Sequence, residues 1–413
     1  MKALLKNLAL SLIAIVVLLF VLEGVFRLVR KEDALKLSMG RVDTRYHHTF
    51  QPNSTMRIVS SIPGEFDVTA HINNYGFRGP DISETKPAGV TRVFIVGDSY
   101  TFGVGAEDDQ TIPARLQNLL DPTRKHIEVI NVGRGNTSPL IYYLRLRDEI
   151  PKFKPDFVVM LLDFSDLWDD WHFEKNLLYD PNGKMTGLNP YFEYGKFKFW
   201  NYLRANSVFA SYLHNKVVRT VSQIQKIGIK RFVQAVAEGK KVKAVIATTE
   251  NETIEFDGKL FLRGGEKQKE IREHFERTGK YILMCRDLAR QYDAGFALVI
   301  YPYGIHAGPD QWREGRSSWG FEKGKMETDT FSFDLVEEFA DKNRIPFVNL
   351  LPNIRQHNNK MLYFPYDGHF TPAANEVVAQ ALVQNPVLMD ALQDKIHTDN
   401  QIEQKRGSWN GNL

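Results

Sequence analysis

One cysteine, Cys285, stands in 413 residues, so no disulfide can close within the chain and neither a zinc ribbon nor a CxxC redox motif is present. HExxH is missing too. The neighbouring His47 and His48 have no carboxylate–histidine cluster beside them, so the sequence implies no metal and no cofactor. A large excess of one charge is also lacking: 53 Lys plus Arg face 50 Asp plus Glu, and 43% of residues are hydrophobic. That balance excludes a disordered polyelectrolyte. Gly133-x-Gly135 lacks the third glycine of a dinucleotide fingerprint, and no repeat of fixed period is visible.

Basic charge is concentrated in two places. Residues 1–31 carry a net +4 and residues 216–243 a net +7 within a total of +3, so the rest of the chain carries a net −8. A nucleic-acid binder would carry its basic footprint on the body of the domain, and no nucleic-acid partner is expected. The 216–243 cluster reads either as a solvated helix face or as a contact for anionic headgroups beside a membrane.

A long apolar run is present. Leu8 to Leu22 is broken only by Ser11, and Val25, Phe26, Leu28 and Val29 extend it past Glu23 and Gly24. About 20 residues of helix cross a hydrocarbon core, which Leu8 to Phe26 nearly supplies. Lys2 and Lys6 would suit a signal peptide, but no small-x-small cleavage pattern follows Leu22. The reading is an uncleaved, single-pass signal anchor over residues 1–30. Its two flanks have similar positive charge, so the positive-inside rule hardly orients it.

Residues 31–90 read as an irregular, strand-containing lead-in rich in turn formers. From Thr91 the pattern becomes strand, loop, helix. Arg92 to Val96, Ile127 to Asn131, the wholly apolar Phe157 to Leu162, Gly295 to Tyr301 and Pro346 to Leu351 read as strands. Ile112 to Leu120, Leu140 to Ile150, Lys280 to Tyr292 and Phe331 to Lys342 read as helices. This alternation predicts an α/β domain with a central parallel sheet and helices on both faces, over 91–170 and 276–392. Residues 171–275 form an insertion containing the basic helix and hairpin-like turns such as Asp257-Gly258, and 393–413 a polar tail.

Ligands of open α/β sheets collect outside the carboxyl ends of the strands. Three loops there carry chemistry: Gly97-Asp98-Ser99-Tyr100-Thr101-Phe102-Gly103, Asn131-Val132-Gly133-Arg134-Gly135, and Tyr366-Asp367-Gly368-His369-Phe370-Thr371-Pro372. A serine hydroxyl needs a base to take its proton, and an imidazole base needs a carboxylate to fix its tautomer. Ser99, His369 and Asp367 supply those parts, and the Ser99 and Gly133 N–H groups are candidate oxyanion donors. Asp98 and Asp166 read as loop-holding residues. His306 reads as an incidental loop histidine or a pocket residue.

Taken together, these blocks resemble the SGNH (GDSL-type) hydrolase family over roughly residues 70–170 and 280–385. Asn74-Tyr75-Gly76-Phe77-Arg78-Gly79 and the anchor look like a membrane-anchored bacterial subgroup of it. The resemblance implies a flavodoxin-like three-layer α/β/α fold and cleavage or transfer of acyl esters. It makes Ser99 nucleophile and first oxyanion donor, Gly133 second donor, His369 base and Asp367 its orienter. Two departures stand out. Where the family has Gly-x-Asn-Asp, this chain has Asp163-Phe164-Ser165-Asp166, leaving the Ser165 hydroxyl as a shorter substitute donor. Where the family has Asp-x-x-His, this chain has Asp367-x-His369.

The expected function is a membrane-anchored serine esterase or acyltransferase for O-acyl groups, acetyl groups of an envelope polysaccharide among them, working on the periplasmic or extracellular side. The competing reading is a non-catalytic carbohydrate-binding or polysaccharide-assembly protein on a degenerate SGNH fold. The sequence leaves protein partners open.

Overall fold

The computed structural model describes residues 2–29, 40–60, 62, 64–189, 260–262 and 267–395, together with 203, 207–210, 212, 213 and 216. Apart from Lys216, the basic helix expected at 216–243 lies outside the described residues, as do the Asp257-Gly258 turn and the tail from 396 onward. The chain divides into two compact units, Met1–Val42 with Pro190–Phe256, and Asp43–Asn189 with Asp257–Leu413.

The first unit is built on helix α1 (Lys2–Val29). Its stretch Ala9–Val29 has a mean hydropathy of 2.7 and is long and apolar enough to cross a membrane. Glu23, the acid that interrupts the apolar run, accepts hydrogen bonds from the Ser207 hydroxyl at 2.6 Å and from the Val208 and Phe209 amides at 3.1 Å each. One turn further along, the Phe26 ring packs on Phe209 and Tyr212.

In the second unit, strands β1 (Ser54–Val59) and β2 (Asp67–Ile72) form an antiparallel hairpin pairing Ser54 with Ile72 and Val59 with Asp67. The core follows as β3 (Thr91–Val96), helical turn α2 (Ser99–Phe102), α3 (Ile112–Leu120), β4 (Ile127–Asn131), α4 (Pro139–Phe153), β5 (Phe157–Leu162) and α5 (Asp166–Glu174). A short hairpin of β6 (Leu177–Tyr179) and β7 (Met185–Leu188) comes next, then α6 (Gln268–Gln291), β8 (Gly295–Ile300), α7 (Phe331–Lys342), β9 (Phe347–Asn349), α8 (Leu351–Gln356) and α9 (Pro372–Gln384).

Five strands make one parallel sheet in the order β9-β8-β5-β3-β4. Counted along the chain the order is 2-1-3-4-5, the flavodoxin-like arrangement that the sequence led us to expect. Every residue of β5 is buried, as a central parallel strand covered on both faces requires. The helices pack in two groups. α6 contacts α4, α5 and α7, while α3 contacts α9, which in turn contacts α8. This division follows the strand order, because the chain leaves β3 in one direction across the sheet and returns past it in the other.

Two elements depart from the sequence reading. Helix α6 begins at Gln268, well before Lys280, because Ile271 and Phe275 continue the buried stripe of Thr278, Ile282, Cys285 and Ala289 at helical spacing. Strand β9 stops at Asn349, whose side chain caps the turn by accepting the Leu351 amide at 3.0 Å, and α8 starts at once.

Candidate active site

The order of strands reverses between β3 and β5, and the loops leaving those two strands meet there. Strand β3 ends at Val96, and Gly97 turns the chain sharply: a Cβ on Gly97 would sit 2.0 Å from Thr101 Oγ1. Asp98 then caps α2 by accepting the Tyr100 amide at 2.9 Å, and Gly103 closes the turn with φ of 91°. Ser99 is thereby the first residue of a helical turn, held at the mouth of a cleft.

The Ser99 hydroxyl lies 2.8 Å from His369 Nε2. On the far side of the imidazole, Nδ1 hydrogen-bonds Asp367 Oδ1, which also accepts the His369 backbone N–H at 3.1 Å. The departure from Asp-x-x-His spacing is accommodated by Gly368, whose φ of 90° folds the carboxylate back onto the ring two residues on. A Cβ at Gly368 would stand 2.6 Å from Trp312 Nε1. Glu65 Oε1 anchors the loop by accepting the Tyr366 and Asp367 amides, and Tyr100 donates to the Gly368 carbonyl at 2.9 Å while its ring packs on His369. Burial opposes ionisation of Asp367, yet the hydrogen bonds from His369 outweigh it and hold this carboxyl below its ordinary pKa.

Behind Ser99 lies a buried acidic group. Burial, and next the neighbouring Asp163, push the Asp98 carboxyl well above its ordinary range. Tyr301 donates to Asp98 at 2.9 Å and Tyr303 to Asp163 at 3.0 Å. Asp98 is therefore a structural acid, as its loop position suggested.

Two expected oxyanion donors take part in other hydrogen bonds. The Gly133 N–H donates to Asn131 Oδ1 at 3.0 Å, and a Cβ there would lie 2.4 Å from the Phe102 amide nitrogen. Gly133 thus lets the second loop press against α2, and its N–H is committed within its own turn. The glycine abutting Ser99 is Gly135, where an added Cβ would meet Ser99 Cβ at 3.6 Å. Ser165 does line the cleft, but its one hydroxyl proton goes to Asp163 Oδ2 at 3.1 Å and its amide to Asp163 Oδ1 at 2.7 Å.

Two further cleft residues, Asn136 and Trp312, are not singled out by the sequence. Asn136 and Trp312 both line the cleft and both have positive φ, 54° and 49°. Asparagine tolerates that region; tryptophan rarely does, and such outliers gather at functional sites. Arg78, within the Asn74-to-Gly79 motif, is 3% exposed and donates to the carbonyls of Phe102, Gly103 and Ala106 and to Asp108. It fastens the loop that presents Ser99, and an arginine so close before the first core strand was its sequence signal.

Solved structures that resemble the chain include an acetyl xylan esterase, AlAXEase, at 13% identity and TM-score 0.35, covering 71% of this chain and 98% of that one. Another is a catalytic mutant of Axe2, an acetylxylan esterase from Geobacillus stearothermophilus, at 12% identity and TM-score 0.34, covering 73% and 95%. A lipolytic protein of the G-D-S-L family from Desulfitobacterium hafniense matches at 11% identity and TM-score 0.33, covering 71% and 98%. No family model matches the sequence, and no curated protein does.

His306, His47 and His48 stand apart from the relay. His306 is 1% exposed, contacts the Leu262 carbonyl at 3.1 Å and packs on Phe164 and Phe333; burial lowers its pKa to about 3. It is a core residue. His47 and His48 contact each other through their Nδ1 atoms at 2.9 Å, and burial lowers the pKa of both. Among the described residues no three His, Cys, Asp or Glu side chains group to hold a metal.

Proposed function

We propose that this chain is a membrane-anchored serine esterase or acyltransferase acting on O-acyl groups. The carrying observation is the unbroken line from Ser99 Oγ through His369 to Asp367 at an open cleft. In the proposed reaction, Ser99 Oγ attacks the ester carbonyl while His369 Nε2 takes its proton, and Asp367 steadies the imidazolium. The tetrahedral oxyanion forms against the Ser99 N–H, the first of a helical turn, and in this reading Gly135, whose added Cβ would meet Ser99 Cβ at 3.6 Å, supplies the second N–H. Asn136, which lines the cleft, replaces the family's third donor in this reading, since the Ser165 proton is engaged. His369 then protonates the departing alcohol. Water, or a sugar hydroxyl in the transferase variant, attacks the acyl-enzyme with His369 again as base.

Helix α1 would tether the catalytic unit to a membrane, with that unit on the periplasmic or extracellular side, where envelope polysaccharide esters are found. The non-catalytic alternative is not favoured, because a fold that had lost its chemistry would have no reason to keep both the Asp367-supported imidazole and the fastened nucleophile loop. A fluorophosphonate probe should label the wild-type protein, and Ser99→Ala should not be labelled. Folded wild-type protein that resists the probe would remove Ser99 as nucleophile.

A further inference from the structure

The tip of the β1–β2 hairpin lies ahead of the stretch that resembles the hydrolase family, yet it reaches the loop that carries His369. Beyond the last ladder pair, Val59 with Asp67, the Ser60 amide donates to the Phe66 carbonyl at 3.0 Å and so holds Glu65 at the tip. Both oxygens of the Glu65 carboxylate are then fixed. Oε2 accepts the hydroxyl of the buried Ser60 at 2.6 Å, and Oε1 accepts two consecutive amides, Tyr366 at 2.7 Å and Asp367 at 3.1 Å. Beside them the Phe66 ring packs on Phe364 at 4.8 Å. Phe364 in turn donates its N–H to the His369 carbonyl at 2.9 Å.

The same hairpin also grips the chain that follows Ser99. The Thr69 amide donates to Glu107 Oε2 at 3.1 Å, and the His71 amide to Asp108 Oδ2 at 3.2 Å. Gly105 completes the junction: its φ is 79°, and a Cβ there would meet the Phe364 ring at 2.3 Å and the Phe66 ring at 3.1 Å. One residue earlier, the Val104 amide donates to the Ser99 carbonyl at 3.1 Å. Ser99 and His369 are 270 residues apart, so their 2.8 Å meeting depends on how two separate loops are held, and the hairpin touches both. A displacement of about 1 Å between reacting groups costs ~100-fold in rate. Resting on the esterase reading above, we infer that Glu65 is a positioning residue of the reaction: its Oε1, held by Ser60 at the reach of the two amides, sets Asp367 and His369 against Ser99. The length of the side chain and its acceptor oxygen do this work, and its negative charge does not.

Substitutions at Glu65 in the full-length protein, kept in detergent, test this on p-nitrophenyl acetate. Glu65→Asp keeps the charge but shortens the side chain, and Glu65→Ala removes the acceptor. Both should lower kcat by ~10- to 100-fold with KM within about twofold of wild type. Glu65→Gln keeps an oxygen at the same reach and should recover most of that kcat. The rate of fluorophosphonate labelling, which reads the activation of Ser99, should fall and recover in step. A purely structural role predicts a lower thermal midpoint with unchanged kcat in the folded protein, and that result overturns the inference. So does wild-type kcat in Glu65→Asp, or a loss in Glu65→Gln as deep as in Glu65→Asp. If Glu65→Ala does not fold, the Asp and Gln variants decide by themselves. Wild-type protein that neither turns over esters nor takes the label overturns the esterase reading instead.

Discussion

Asp367, Gly368 and His369 work as one short device, because a left-handed glycine lets a carboxylate reach the ring only two residues away. Asp367→Asn keeps the shape but removes the charge that fixes the tautomer, so kcat should fall by ~10³-fold or more with little change in KM. Loss of less than ~10-fold would mean that another group orients His369. The oxyanion assignment separates in the same way. Asn136→Ala should lower kcat by about 10²-fold, as loss of a donor does, whereas Ser165→Ala should have a smaller effect because its proton already serves Asp163. The reverse order would return the third-donor role to Ser165.

Among the elements, the loop between β2 and β3 and the turn α2 depend on one buried guanidinium. Arg78 satisfies three carbonyls that follow the nucleophile and pairs with Asp108. Breaking a buried charge-paired network by removing one partner costs about 3–5 kcal/mol, so Arg78→Met should lower the denaturant midpoint markedly and slow turnover as the Ser99 loop loosens. Helix α5 brings a second, pH-dependent contribution. Burial above all raises the Asp170 carboxyl to about 7, against about 3.9 in an unfolded chain. Between those values the folded protein holds a proton that the unfolded chain releases, so this residue's contribution to stability is full below about pH 4 and is lost as pH rises toward 7. Thermal scans from pH 5 to 8 should show a shallower decline in Asp170→Asn than in wild type; parallel curves would show that Asp170 does not carry the effect.

For the whole molecule, helix α1 and the unit that carries Ser99 make separate predictions. Full-length protein should stay in the membrane pellet through alkaline carbonate extraction, as a spanning helix does and a peripheral one does not. In intact cells, a protease added outside should reach the catalytic unit once the outer barrier is opened. Release into the soluble fraction would show that residues 1–30 are removed or lie outside the bilayer.

Periodicity and turn chemistry along the chain determined the parallel α/β sheet, since strands such as Phe157 to Leu162 must be covered on both faces wherever they sit. The same residues named Ser99, Asp367 and His369, because few side-chain sets can activate a hydroxyl. Close approach in three dimensions decided the rest. Gly133 and Gly135 are equally small in sequence, and only the packing of Gly133 on Phe102 and of Gly135 on Ser99 distinguishes them. Whether the Ser165 proton is free depends on where Asp163 lies, and whether Trp312 and Trp319 line the cleft depends on loops far from Ser99 in the chain. Hydrogen-bond direction and contact are properties of relative position, which a one-dimensional pattern does not contain.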